Sequence, residues 1–247
     1  MSAEATDAFG RLYERGGWRF KSGQPRSGGG STVGATNVTC AVLSLAVRAV
    51  AERRSPVRIL DSPCGDFTWM PGCLRSIAAG MRKSSTIEYR GIDVVQPLVE
   101  QLNARQGNLL SIEASEFAMP HGVRLLPFMH VDAANVSAMS VFRHRVDIIV
   151  SKHMLIHIPN GHIDRVLQSW NSLGASMIVK DNTRISRRRN RDTPLVGGRD
   201  VDLHALPFDI GAPLCSEPDS GLCAAESKCY DDIEVLALPL QKWQCYQ

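Results

Sequence analysis

Apolar residues along this chain follow two rhythms. Short runs of about five residues end in a polar one, and between them lie stretches in which apolar residues recur every three or four positions. The first long stretch, 38–54, has Val38, Ala41, Val42, Leu45, Ala46, Ala49 and Val50 at helical spacing, with Arg48, Glu52, Arg53 and Arg54 on the polar side and at the end. This predicts an amphipathic helix with Thr36 or Asn37 as its cap. Val57 to Asp61 (VRILD) then reads as a strand running into the turn-like SPCGD. A helix is predicted over 69–80, a second strand from Ile87 to Val94 with Asp93 at its end, and a helix from Pro97 with Leu98, Leu102 and Leu109 among its apolar positions. A third strand spans Arg124 to His130, with Asp132 just beyond it, and a fourth spans Val146 to Ser151. Asn160 opens a helix over 160–172 with Ile163, Val166, Leu167 and Trp170 inward, and Ala175 to Lys180 is a fifth strand ending at Asp181.

Strands alternating with helices in this way imply an α/β fold whose parallel sheet is covered on both faces. Ligands of such sheets bind beyond the carboxyl ends of the strands. That gives meaning to the polar residues gathered there: Asp61, Asp93, Asp132, Ser151, Lys152 and Asp181. After residue 181 the alternation fades into a basic run from Arg184 to Arg191 and a stretch rich in glycine and proline. Asp232 to Leu240 is a last strand, and Asp200 to Leu206 is its expected partner in an antiparallel edge. Upstream, Asp7 to Glu14 predicts a short helix and Arg26 to Thr36 a loop. The expected organisation is an N-terminal segment over 1–36, able to act as a lid, and one domain over 37–247 with a substrate-side loop at about 182–230.

Composition narrows the picture. A chain of 247 residues, 44% hydrophobic, is long and apolar enough for one buried core. The balance of 28 basic and 25 acidic residues gives +3, which neither demands nor excludes nucleic acid. No membrane span is expected, and the acidic N-terminus lacks the apolar segment of a secretory signal. The seven cysteines form no CxxC pair, although Cys215, Cys223 and Cys229 fall in one late loop-like stretch. Free thiols in a reducing cytosol, and so a cytoplasmic protein, are the expectation.

The segment ILDSPCGDF is the strongest local signal. Gly65 can take the positive φ of a sharp turn that presents backbone N–H groups to a ligand. Asp61 and Asp66 make that loop acidic, which favours a cationic or hydroxyl-bearing ligand over a phosphate. Neither GxGxxG nor GxxxxGK[ST] occurs at this point. Asp93 can accept hydrogen bonds from a ribose diol, and Asp132 can accept from an exocyclic amine.

This order of residues resembles the class I S-adenosylmethionine-dependent methyltransferases. Asp61 stands at the acid of their first motif, Cys64 at a frequent loop residue and Gly65 at the central glycine, while Pro63 and Phe67 replace usual glycines. Pro63 to Met70 (PCGDFTWM) resembles a subgroup with a PCGDFxWM loop. That subgroup also has a strand running into SRDVLxHL, here Ser151 to Ile158 (SKHMLIHI), with His153 where an acid is usual. Ser27 to Thr32 (SGGGST), Asn190 to Asp192, Gly197 or Gly198, and Pro207–Phe208 resemble its other segments, so the likeness spans roughly residues 22–240. The resemblance implies a Rossmann-like fold with a mostly parallel seven-stranded sheet, helices on both faces and a late antiparallel edge. It implies S-adenosyl-L-methionine as cofactor, with Asp61, Ser62, Pro63, Cys64, Gly65, Phe67, Trp69, Asp93, Val94, Asp132, Ala133 and Ser151 around it.

Methyl transfer needs an aligned acceptor and, for a hydroxyl, a base. His157 is the preferred base, His153 the next, and Asp66 a further candidate near the methionine amine or the acceptor. The two histidines share a face if their segment is helical, but no clear third ligand accompanies them, so no metal is assigned. Trp18, Arg19, Lys180, Asp181 and Arg184 are the candidate substrate-binding residues. The expected acceptor is a small molecule or glycan, methylated at oxygen. An RNA or protein methyltransferase using the arginine-rich loop is the alternative, although that loop lacks aromatic platforms for bases. A non-catalytic subunit binding a nucleotide-like ligand is the other.

Overall fold

The computed structural model describes residues 3–17, 27, 29–107, 117–183, 189–219 and 231–239. Its helices are α1 (Ala3–Glu14), α2 (Asn37–Ala51), α3 (Met70–Ala79), α4 (Gln96–Gly107), α5 (Val136–Met139) and α6 (Asn160–Ser172). Its strands are β1 (Val57–Asp61), β2 (Ile87–Asp93), β3 (Val123–Leu125), β4 (Met129–His130), β5 (Ile148–Ser151), β6 (Met177–Thr183), β7 (Cys215–Pro218) and β8 (Asp231–Ala237). They form one sheet in the order β3-β2-β1-β5-β6-β8-β7, with β4 also pairing with β2. The pairs from β3 to β6 are parallel, and β8 runs antiparallel to both β6 and β7.

Strand side chains alternate between two cores, as a pleated sheet requires. Ile59, Tyr89, Ile148, Val150 and Val179 pack with Leu43, Val47, Leu74, Ile77 and Leu102 of α2, α3 and α4. Leu60, Ile92, Ile149 and Ile178 pack with Met139 of α5 and Ile163, Val166 and Trp170 of α6. Fully buried apolar side chains such as Leu43 and Leu74 each contribute about 1.5–3 kcal/mol. Residues 34–51 reach the length and apolarity of a membrane span, against the expectation that no such run exists; 44% of it is buried within the fold, with Val42, Leu43, Ala46 and Val47 in the core.

Four further expectations change. The third strand is two short pieces, because Pro127 lies between β3 and β4 and has no N–H for the ladder. The partner of β8 is β7, not 200–206. Residues 200–206 instead fold around Asn190, whose amide donates to the carbonyls of Asp202 (2.6 Å) and Leu206 (3.0 Å). Asp181 lies inside β6 rather than at its end. Cys40 and Cys73 are not free thiols: they form a disulfide between α2 and α3, with Cα atoms 5.5 Å apart. Cys223 and Cys229 lie outside the described residues.

Candidate active site

A cavity of about 740 Å³ opens at the carboxyl ends of β1, β2, β4 and β5. The loop after β1 forms its floor. Gly65 holds φ at +53°, open to glycine at little cost. The Cys64 N–H donates to the Ile92 carbonyl at 2.9 Å, and this close seat needs Gly91 on β2, where a Cβ would stand 2.6 Å from that of Cys64.

Two acids from neighbouring strand tips are buried in this wall. Asp61 is 2% exposed, and its Oδ2 accepts the Tyr89 hydroxyl at 2.6 Å. Burial pushes its carboxyl from the ordinary 3.8 to about 8; the Tyr89 bond opposes the rise and Asp93 adds to it. Asp93 is raised to about 6, again by burial, although it accepts the N–H groups of Val95 (2.9 Å) and Gly65 (3.2 Å). Asp132, after β4, accepts the Ala134 N–H at 2.8 Å and lines the cavity with Val131, Ala133 and Ala134. The Ser62 hydroxyl and His162 Nε2 are buried in the same wall without a hydrogen-bond partner among the described residues.

Beyond β5 the chain does not form the helix that would put two histidines on one face. His153 sits at φ +54°, with its N–H donated to Asp181 Oδ1 at 2.8 Å, and only a 3-10 turn, Leu155–His157, follows. Burial lowers the His153 imidazole, against the pull of Asp181, so it is neutral near pH 7. Burial raises the Asp181 carboxyl, but His153, Lys152 and Lys180 outweigh this and hold it below the usual range. Burial also lowers His157, opposed by the Gly197 carbonyl and Asp181. His157 Nδ1 lies 2.7 Å from that carbonyl. A carbonyl only accepts, so Nδ1 carries the proton and Nε2 is the acceptor atom of the neutral ring.

The roof comes from the N-terminal segment, where Ala5, Phe9 and Tyr13 of α1 line the cavity with Ser27, residues 30–32, Gly34 and Ala35. Ser27 exchanges two bonds with the floor: its N–H donates to Asp66 Oδ2 (3.1 Å), and its Oγ accepts the Asp66 N–H (2.8 Å). The Tyr13 hydroxyl is 3.0 Å from the same Oγ.

The cavity thus gathers Asp61, Ser62, Pro63, Cys64, Gly65, Trp69, Asp93, Val94, Asp132, Ala133, His153 and His157. Five other candidates stand off its wall. Asp66 fastens the roof. Phe67 belongs to the core, ringed by Tyr89, Phe117 and Phe128 at 5.1–5.4 Å. The Ser151 side chain is buried within the sheet. Lys180 faces Glu234 across the antiparallel pair, its ammonium 3.2 Å from that carboxylate and 3.0 Å from Asn182 Oδ1. Asp181 holds the His153 backbone. Trp18, Arg19 and Arg184 lie outside the described residues. Among the described residues, the lysine or arginine that lines the cavity is Lys152, with its Nζ 2.8 Å from buried Asp219. Lys152 is legible only as a strand-end residue and Gly197 only as part of a segment resembling the subgroup, while Phe9 and Tyr13 carry no signal that places them here.

No protein-family model and no curated protein matches the sequence. Solved structures do match in fold. The magnesium protoporphyrin IX methyltransferase of Synechocystis PCC 6803 with bound SAM superposes with a TM-score of 0.54 at 13% identity, over 94% of each chain. A structure from work on the conversion of a disulfide bond into a thioacetal group during echinomycin biosynthesis superposes with a TM-score of 0.51 at 13% identity, over 93% of this chain and 91% of the other. The sheet order, the antiparallel β8 and these superpositions agree: the chain has the Rossmann-like fold of class I S-adenosylmethionine-dependent methyltransferases.

Proposed function

We propose that this protein is an S-adenosylmethionine-dependent methyltransferase acting on a small, largely apolar molecule at a hydroxyl oxygen. The observation that carries the reading is the pair of buried carboxylates, Asp61 and Asp93, both pushed up towards neutrality by burial in the cavity wall. Such acids are poised for a ligand that brings positive charge and hydroxyl donors. The other features of the cavity suit the same cofactor. Its volume of about 740 Å³ lies in the usual range of ligand sites, about 300–1,000 Å³. The Ser62 hydroxyl and His162 Nε2 are polar atoms of the wall that a ligand can satisfy. When bound, the cofactor supplies a methyl group on a sulfonium, an electrophile that needs no covalent catalyst.

The chain's own residues do the rest. Asp93 keeps acceptor capacity for a diol, since a carboxylate has about four lone-pair sites and the backbone N–H groups of Val95, Gly65 and Val94 do not use them all. Asp132 accepts from an amine. Phe9, Met154, Ile156 and Leu195 form an aliphatic and aromatic wall that excludes water and favours an apolar acceptor. His157, neutral through burial and protonated on Nδ1, can take the acceptor's hydroxyl proton on Nε2.

Calorimetry with S-adenosylhomocysteine tests the cofactor. Saturable binding by the intact protein, lost in Asp93→Ala, is the expected result; silence from the intact protein overturns the reading. A screen of small-molecule hydroxyl acceptors tests the rest. Methylation of RNA or protein in place of all of them would replace the proposed substrate class.

A further inference from the structure

The turn Pro194–Gly197 is strained and polar, and both properties converge on one histidine. Val196 sits at φ +57°, a conformation that a β-branched residue rarely holds. Its N–H donates to the His157 carbonyl at 2.9 Å. The next residue, Gly197, turns its carbonyl onto His157 Nδ1 at 2.7 Å. Only glycine fits there, because an added Cβ would stand 2.0 Å from Thr193 Oγ1 and 2.9 Å from the Pro194 carbonyl.

Strain of this kind persists only where the surroundings fix it. Two side chains flank the turn. Asp192 Oδ1 accepts the N–H groups of Asn160 (2.8 Å) and Thr193 (2.9 Å), so it does the capping at the start of α6 that Asn160 was expected to do. Arg199 spans the other side: its guanidinium donates to the Ile158 carbonyl at 2.9 Å and to the Arg191 carbonyl, and it lies 3.6 Å from Asp192. The Arg199 side chain is 8% exposed, which makes it a built part of the loop rather than a surface cation.

We propose that Asp192 and Arg199 are positioning residues that hold the 194–197 turn in its strained form, and that this turn fixes the tautomer of His157. The inference rests on the reading of His157 as the base. A base must present an acceptor nitrogen, and the Gly197 carbonyl selects which nitrogen that is. Among the described residues, the charged and titratable groups that act on His157 include Asp181 of β6 and His153 after β5. Neither is in the turn, so both remain when the turn is altered.

The test reads the imidazole directly and needs no acceptor. Long-range proton–nitrogen spectra of the ¹⁵N-labelled full-length protein distinguish the two tautomers, and His157→Gln identifies the signal. The wild type is expected to show Nδ1–H at His157. In Arg199→Ala that signal should be lost or joined by the Nε2–H form, and the His157 titration should move down, since the Gly197 bond now raises it. Asp192→Asn, which keeps the side-chain shape, should move both readouts the same way by less, and it stands in if Arg199→Ala fails to fold. An Nε2–H tautomer in the wild type overturns the proposal, as does an unchanged Nδ1–H signal in a folded variant. Failure of the methyltransferase reading shows separately, as absence of S-adenosylhomocysteine binding with the tautomer unaffected.

Discussion

Both halves of the sheet bury carboxylates, and the two halves shift them in opposite directions. At the tips of β1 and β2, Asp61 and Asp93 are pushed up by burial. Around β6 and β8, Asp181 and Glu234 end below the usual range although burial raises them, because neighbouring histidine and lysine side chains outweigh it. For Glu234 those neighbours are His204 and Lys180: His204 Nε2 is 3.1 Å from both carboxylate oxygens, and the Lys180 ammonium is 3.2 Å away. Asn182, Asp202 and Asn190 extend this network by closed hydrogen bonds. A buried acid with a resident cation is architecture, whereas one with none among the described residues suits, on the proposed function, a ligand that brings its own charge. The distinction separates Lys180 from Lys152 as well: one lies within β6, locked inside the network, and the other just beyond β5, on the cavity wall.

The contrast can be broken most sharply at Asp61. Its folded value of about 8 exceeds the ordinary 3.8, so the native state holds a proton that the unfolded chain releases. The stability it contributes is present below about pH 4 and is lost as pH rises towards 8, by about 5 kcal/mol for a shift of about four units. Melting the ligand-free protein from pH 5 to 8.5 should show that decline, and Asp61→Asn should remove most of it; a flat profile in the wild type would mean that Asp61 is already compensated. Next in size is the covalent tie in the same half. The Cys40–Cys73 bridge spans a sequence separation of 33, and the Cys40→Ala/Cys73→Ala protein should lose about 3–4 kcal/mol in urea unfolding. In the other half, Lys180→Met should cost about 3 kcal/mol, the lower end for a broken buried pair because His204 remains against Glu234. It should leave S-adenosylhomocysteine affinity unchanged; a large drop would move Lys180 into the site. Asp93→Ala should do the converse, weakening that affinity about 100-fold by calorimetry through lost charge-assisted hydrogen bonds, with a smaller effect on unfolding.

What the sequence disclosed follows the same division. The floor of the cavity is written locally: an apolar run, an acid and a glycine needed for a positive φ occupy consecutive positions, Ile59 to Gly65. The strand-end acids fell into place because a parallel sheet puts all such ends on one side. The far side depends on partners distant in the chain. Nothing near Lys180 shows that β8 will place Glu234 opposite it, and nothing near His157 shows that Gly197 will turn towards it. The Asn160 cap failed similarly, since Asp192 reaches that amide from across a loop. Pro127 was the exception: the break in the third strand was legible in a residue without an N–H, and it went unread.

Asp66 illustrates how a residue that does not line a cavity can still bear on what enters it. Its carboxylate and amide grip Ser27, so the floor of the cavity is also the catch of its roof. On the proposed reading, how long a guest would stay beneath α1 depends partly on these two hydrogen bonds between roof and floor. Changes at Asp66 would register as altered dwell time rather than altered fit.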